Sequence, residues 1–311
     1  MSATNRGDST TLKPGMPLLS PLRYPGSKRR LVPYIHDVLR LNELRPCLFV
    51  EPFAGGASVA LQLACDGVVD LIGLADADPL IASFWQCVFF DTDWLVEAVD
   101  GAEVTLENWY AQRAAEPEGV RDRAFKCLFL NRTSFSGILA RSAGPIGGIA
   151  QRSVYKIDCR FPKPTLVRRI RQASLLRDRV AFVWSCSWED CLARLNADNA
   201  RFSPDRTFLY LDPPFYFKAE KLYSNYFSIA DHQALHAALM RLSNPWLLSY
   251  DPAEPIEQMY SRNGAKAQRV EQLYSAAGCS GISTAQELIV TNLTRLPERT
   301  QLWRGTARNR E

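Results

Sequence analysis

Residues 208–217 read Phe-Leu-Tyr-Leu-Asp-Pro-Pro-Phe-Tyr-Phe, and no other stretch limits the fold as tightly. Phe208 to Leu211 is a short apolar and aromatic run that suits a buried strand. Pro213 and Pro214 then end any sheet ladder, because neither has a backbone N–H to donate. An acidic side chain (Asp212), free carbonyls and the Phe215 ring are thereby presented together at the C-terminal end of a strand. In open α/β sheets that edge is where ligands bind. An amino group can donate to the carboxylate and to a proline carbonyl while a flat ring stacks on Phe215. A Pro-Pro turn carrying a solvated Asp is the alternative this tetrapeptide leaves open.

A second segment weakens that alternative. Phe49-Val50-Glu51-Pro52-Phe53-Ala54-Gly55-Gly56-Ala57-Ser58 reads as a strand, a small-residue loop and a helix start, with a loop that lets backbone approach a bound molecule closely. It is not the dinucleotide Gly-x-Gly-x-x-Gly pattern. Leu71 to Asp78 follows as a second strand ending in acids. An acid about 20 residues after a Gly loop suits a ribose diol, which favours Asp76, while Asp78 ahead of Leu80-Ile81 also reads as a helix N-cap. Upstream lies Arg23-Tyr24-Pro25-Gly26-Ser27-Lys28, a basic loop leading into a helix and lacking Walker spacing.

Charge divides the chain unevenly. Of the formal +4, residues 119–180 carry 14 Lys+Arg against 3 Asp+Glu, a local +11 that leaves −7 for the rest. An acidic body with one basic segment is the footprint of a phosphate-tracking module. Asp93 to Ala115, Arg121 to Leu130 and Leu166 to Leu176 read as helices, with Trp94, Val99, Leu106, Trp109 and Tyr110 as core positions. Ser134 to Arg152 is Gly- and Ser-rich and reads as a long loop or irregular hairpin. Val180 to Trp184 returns to the sheet. No apolar stretch approaches membrane-spanning length, and no signal peptide is evident. The eight cysteines form no Cys-x-x-Cys, so no metal site is indicated. His232 and His236 read as two exposed imidazoles on a helix over Ala230–Leu242.

Taken in order, Arg-Tyr-Pro-Gly-Ser-Lys, Glu-Pro-Phe-Ala-Gly-Gly-Ala-Ser-Val, Ala-Asp-Ala-Asp, Asn131-Arg132-Thr133, Asp-Pro-Pro-Phe and Glu287-Leu-Ile-Val-Thr-Asn292 resemble the Dam-like, D12-type DNA adenine methyltransferases from about Arg23 to Leu293. The resemblance implies a Rossmann-like α/β methyltransferase sheet with an inserted, mostly helical target-recognition domain. The expected division is a mobile tail (1–19), a catalytic domain (20–80 and 177–295), a target-recognition domain (81–176) and a basic tail (296–311). It implies S-adenosylmethionine as cofactor, held by Tyr24, Lys28, Glu51, Phe53, Ala54, Gly55, Gly56, Asp76, Ser187, Trp188 and Asp212. Asp212, Pro213, Pro214 and Phe215 would form the base site, and Asn131, Arg132, Arg141 and Arg152 would contact DNA.

The implied partner is double-stranded DNA, in a cytoplasmic protein of prokaryotic or phage origin, a monomer or weak dimer without membrane association. A cognate restriction endonuclease is a candidate partner. Many relatives carry Tyr where this chain has Phe215, and Gly144-Pro-Ile-Gly-Gly148 replaces a Phe-Asn-x-Pro form, so the recognition sequence does not carry over. Pro46-Cys47 reads as packing rather than as a cytosine-C5 nucleophile. Cytosine-N4 transfer, RNA or protein amide methylation, and an inactive DNA-binding scaffold are the alternatives.

Overall fold

The computed structural model describes residues 12–23, 28–140, 142–216, 227–275 and 282–303. Tyr24 and Arg141 lie outside the described residues. Seven strands form one sheet in the order β3-β2-β1-β4-β5-β7-β6: β1 (Leu48–Glu51), β2 (Leu71–Asp76), β3 (Val180–Ser185), β4 (Thr207–Leu211), β5 (Trp246–Tyr250), β6 (Lys266–Ser275) and β7 (Ile282–Thr291). The first five run parallel, and β7 is antiparallel to both β5 and β6. Strand order reverses between β1 and β4, which pair directly through Leu48↔Thr207 and Val50↔Leu209. A crevice opens at such a reversal beyond the carboxyl ends of the strands. It is where the Gly-rich loop after β1 and the Asp-Pro-Pro segment after β4 emerge.

Continuous apolar strands are expected where helices cover both faces of a sheet. Phe49, Phe208, Tyr210 and Leu247 point into one core, whereas Val50, Leu209, Leu211 and Leu248 point into the other. Phe49 stacks on Phe208 with ring centroids 5.6 Å apart. Helices α1 (Val32–Leu41) and α2 (Ser58–Cys65) cover the first face, and α8 (Trp188–Ala197), α9 (Ile229–Leu239) and α10 (Glu254–Ser261) the second.

Between β2 and β3 the chain forms α3 (Pro79–Phe90), α4 (Thr92–Gly101), α5 (Leu106–Ala114), α6 (Val120–Thr133) and α7 (Lys163–Ser174). Phe84, Trp85 and Phe89 of α3 belong to the same buried cluster as Phe129, Leu166 and Ile170. The basic segment is therefore built outward from the sheet's own core. Asp78 caps α3 by accepting the Leu80 N–H at 2.9 Å.

Several expectations need correction. The helix read over Asp93–Ala115 is two helices, because Thr105 caps a new start by accepting the Asn108 N–H. Tyr110 is 47% exposed rather than core. Residues 12–19 are not a free tail: the Leu18 N–H donates to Gln62 Oε1 at 2.9 Å and the Leu18 side chain is buried. The 296–303 stretch is likewise docked, bonding through Thr300 and Leu302 to Glu271 on the outer edge of β6, which covers an edge strand. His232 is buried with Nδ1 2.7 Å from the Tyr250 hydroxyl, and His236 packs edge-on against Tyr260. Neither is an exposed imidazole.

Candidate active site

At this edge buried acids gather around Lys28, the one buried ammonium among the described residues. After β1, the Glu51 carboxylate turns under the loop and accepts the Ala60 N–H at 2.6 Å, tying strand to helix. Gly55 (φ +44°) and Ala57 (φ +48°) take the left-handed conformation, which folds the loop back tightly. Three further bonds fix it: Ala54 N–H to Ala75 O, Gly55 N–H to Asp76 Oδ2, and the Trp85 indole N–H to Gly55 O, each 2.9 Å. Asp76 at the tip of β2 thus braces the Gly loop with Oδ2 and accepts the Asp78 N–H with Oδ1. Burial pushes Asp76 up to about 7 against those two bonds. Burial likewise carries Glu51 up to about 8, opposed by the Ala60 N–H and reinforced by the nearby Asp212 charge.

At the end of β4, Asp212 is held on one side only. Its Oδ1 accepts the Ser249 hydroxyl at 2.9 Å and lies 3.2 Å from Lys28 Nζ, and Oδ2 has no partner among the described residues. Ser249 is itself 2.9 Å from the Tyr210 hydroxyl. Lys28, only 4% exposed, also reaches Glu287 Oε1 at 3.2 Å, to which the Gln272 amide donates. Burial works against the Lys28 ammonium, but Asp212 and Glu287 outweigh it and raise its pKa. Burial raises Asp212, with Lys28 opposing, and brings Glu287 to about 7. Lys28 Nζ stands 5.6 Å from the Phe215 ring centroid, a cation–π distance. The Tyr216 N–H, bonded to Asp251 Oδ1 at 2.9 Å, anchors the segment to the end of β5.

The structure therefore brings Lys28, Glu51, the 53–56 loop, Asp76 and Asp212–Phe215 to one edge. Ser187 and Trp188 come to the neighbouring tip, where Asp76 pairs with Ser185. The Ser187 hydroxyl caps α8 by accepting the Asp190 N–H, and the Trp188 ring is buried in the second core. Cys47 lies at the opposite, N-terminal end of β1. Asn131 and Arg132 are buried, so the expectation that they touch DNA directly is corrected to an internal role. Asn131 clamps the Arg23 backbone in both directions at 2.7 Å. Arg152 is exposed in the 134–156 loop, which is braced where Arg113 donates to the carbonyls of Leu139, Ala140 and Ala143.

The sequence alone assigns no role to Glu287, Ser249 or Gln272. A carboxylate set in the apolar run Glu287-Leu-Ile-Val is the one signal that was legible, since an acid in a buried strand needs a cation.

The family model for D12 class N6 adenine-specific DNA methyltransferases matches residues 24–276. No match is found among curated proteins. Among solved structures, a precorrin 8W decarboxylase from Methanobacterium thermoautotrophicum is similar at 12% identity over 88% of this chain and 94% of that one. Its TM-score is 0.34, too low to bear on fold or function. The family match spans most of the chain, including both the strand-edge segments and the basic insertion between them, and on that ground the chain belongs to the D12 class N6 adenine-specific DNA methyltransferases.

Proposed function

We propose that the crevice between β1 and β4 binds S-adenosylmethionine beside an adenine flipped out of duplex DNA, and that the methyl group passes directly to the exocyclic N6. The half-bonded Asp212 carboxylate carries this reading. Ser249 and Lys28 occupy Oδ1, which fixes the plane of the group and leaves Oδ2 as the acceptor for an incoming N–H.

The lining fits the cofactor. Left-handed backbone at Gly55 and Ala57 gives close main-chain approach. Asp76 stands at the strand tip where a diol is held. Glu51 and Asp76 are acids pushed up by burial, a state that a cationic ligand relieves. When bound, the cofactor supplies an electrophilic methyl group. Ser187 and Trp188 would offer backbone near its adenine.

The adenine amino lone pair is delocalised into the ring. Asp212 Oδ2 and the Pro213 carbonyl, each accepting one N–H, favour the pyramidal nitrogen that frees it. One N–C bond then forms as the methyl–sulfur bond breaks, and the extra N6 proton leaves toward Asp212. No protein nucleophile is needed, and alignment supplies the acceleration. Flipping costs a few kcal/mol, and stacking on Phe215 offsets about 1–3 kcal/mol of it.

The test uses 2-aminopurine at the methylated position. Wild type should raise its fluorescence on binding, and Phe215→Ala should blunt the rise. No change with wild type on a duplex that it methylates would refute flipping.

A further inference from the structure

Two arginine side chains, Arg132 and Arg169, converge on residues 20–21, beside Arg23 and a few residues before Lys28. Arg132 donates from Nε to Pro21 O at 2.7 Å and from Nη2 to the same oxygen. Arg169 on α7 donates to Ser20 O at 3.4 Å. Arg23, two residues further on, has its backbone gripped by Asn131. Gly137 packs so closely on this turn that a Cβ there would lie 2.6 Å from Arg23 O.

Like charges gathered this way need an anion. No ion pair joins Arg23, Arg132, Arg160 or Arg169 to a carboxylate among the described residues. Two buried nitrogens of the cluster, Arg23 Nη1 and Arg169 Nε, have no hydrogen-bond partner among the described residues. A buried guanidinium N–H left unsatisfied is costly. Burial, and then the charges of Arg169, Arg23 and Arg160, push Arg132 down to about 9. Burial and Arg160 lower Arg23, and burial, Arg168 and Arg29 lower Arg169. The fold holds these groups together against repulsion.

We propose that Arg23, Arg160 and Arg169, braced from within by Arg132, form a seat for one backbone phosphodiester of the substrate duplex, close to the target base. This rests on the reading of the chain as a duplex-DNA methyltransferase. A planar guanidinium fork matches two phosphate oxygens. The location follows from chain length: Arg23 and Lys28 are five residues apart in sequence, a span of at most about 18 Å. Phosphates on one strand recur every 3.4 Å or so along the axis, so the seat lies within about five nucleotides of the base that reaches Asp212. Arg132 builds the seat from inside, while Arg160 is exposed and close enough for its charge to act on Arg23 and Arg132.

The experiment is a neutral-linkage walk. A duplex that the full chain methylates is made with a single methylphosphonate at each successive position around the methylated adenine. Wild type should lose about tenfold in affinity at one or two adjacent positions. Arg23→Gln/Arg160→Gln should lose about tenfold on unmodified DNA, lose nothing more at those positions, and show a salt slope shallower by about 0.9. Arg241→Gln, on an exposed turn after α9, should keep the wild-type profile. Arg160→Gln alone serves if the double variant does not fold. The seat is refuted if the penalties of variant and modification multiply, or if no position is sensitive. Absence of methyl transfer to any duplex by wild type would instead remove the parent reading, and the seat with it.

Discussion

Replacing Lys28 by Met should show how the site holds its charge. The change removes the one ammonium among the described residues within reach of Asp212 and Glu287, each 3.2 Å from Nζ. The two carboxylates are 26% and 7% exposed at the side chain, so water cannot replace the lost partner fully. Breaking a buried pair by removing one member costs about 3–5 kcal/mol, which corresponds to roughly 5–8 °C in a chain of this size. The cost has a definite pH dependence. Both acids already have folded pKa values raised above the ordinary carboxylate range, Glu287 to about 7, and loss of Lys28 raises them further. A carboxyl raised on folding is harmless while protonated and destabilises as pH climbs toward the folded value. The melting-temperature gap between wild type and Lys28→Met should therefore be small near pH 5 and widest near pH 8. Single-turnover methylation should fall on the order of 10²-fold, because Asp212 then spends part of its time neutral and accepts more weakly. Adding Glu287→Gln should recover most of the stability and little of the rate. A gap that is flat in pH, or wider at pH 5 than at pH 8, would rule out Lys28 as the partner that keeps these two acids charged.

Glu51→Gln keeps an acceptor for the Ala60 N–H but removes a carboxyl held near 8. Wild-type stability should lose about 1.4 kcal/mol per pH unit from this group between roughly pH 5 and 8, and the variant should lack that slope in thermal melts. Asp76→Ala should weaken S-adenosylmethionine binding about 10–100-fold in calorimetry while leaving duplex affinity unchanged; an unchanged cofactor affinity would remove the role. Phe215→Tyr should methylate within about threefold of wild type, because the ring that stacks is retained, whereas Phe215→Ala should cost about 1–3 kcal/mol.

The strand edge was legible because its signals are local. Two prolines after Phe-Leu-Tyr-Leu end a strand wherever they occur, and the Gly55-Gly56 loop needs only its own backbone freedom. Asp78 announced itself as a cap by the Pro79-Leu80-Ile81 that follows. What stayed hidden depends on residues far apart in sequence. Lys28 meets Glu287 across 259 positions, and nothing near either one indicates the other. The polarity of Asn131 and Arg132 suggested a surface. The preceding Cys127-Leu128-Phe129-Leu130 continues the buried face of α6 through them, and their hydrogen bonds go inward to residues 21 and 23. His232 reads as solvated by composition alone, yet Tyr216, Phe227 and Tyr250 surround its ring. Helix limits in the insertion were blurred because Thr105 interrupts a continuous polar and aromatic stretch with a single capping hydroxyl.

On the reading proposed above, Asp212 accepts from an adenine amino group during methyl transfer. Nucleoside analysis of duplex DNA, after incubation with radiolabelled S-adenosylmethionine and either wild type or Asp212→Ala, tests it most directly. N6-methyladenine should be the labelled nucleoside with wild type, with at least about 10²-fold less of it from a folded variant. Label in N4-methylcytosine, or a variant within threefold of wild type, would contradict it.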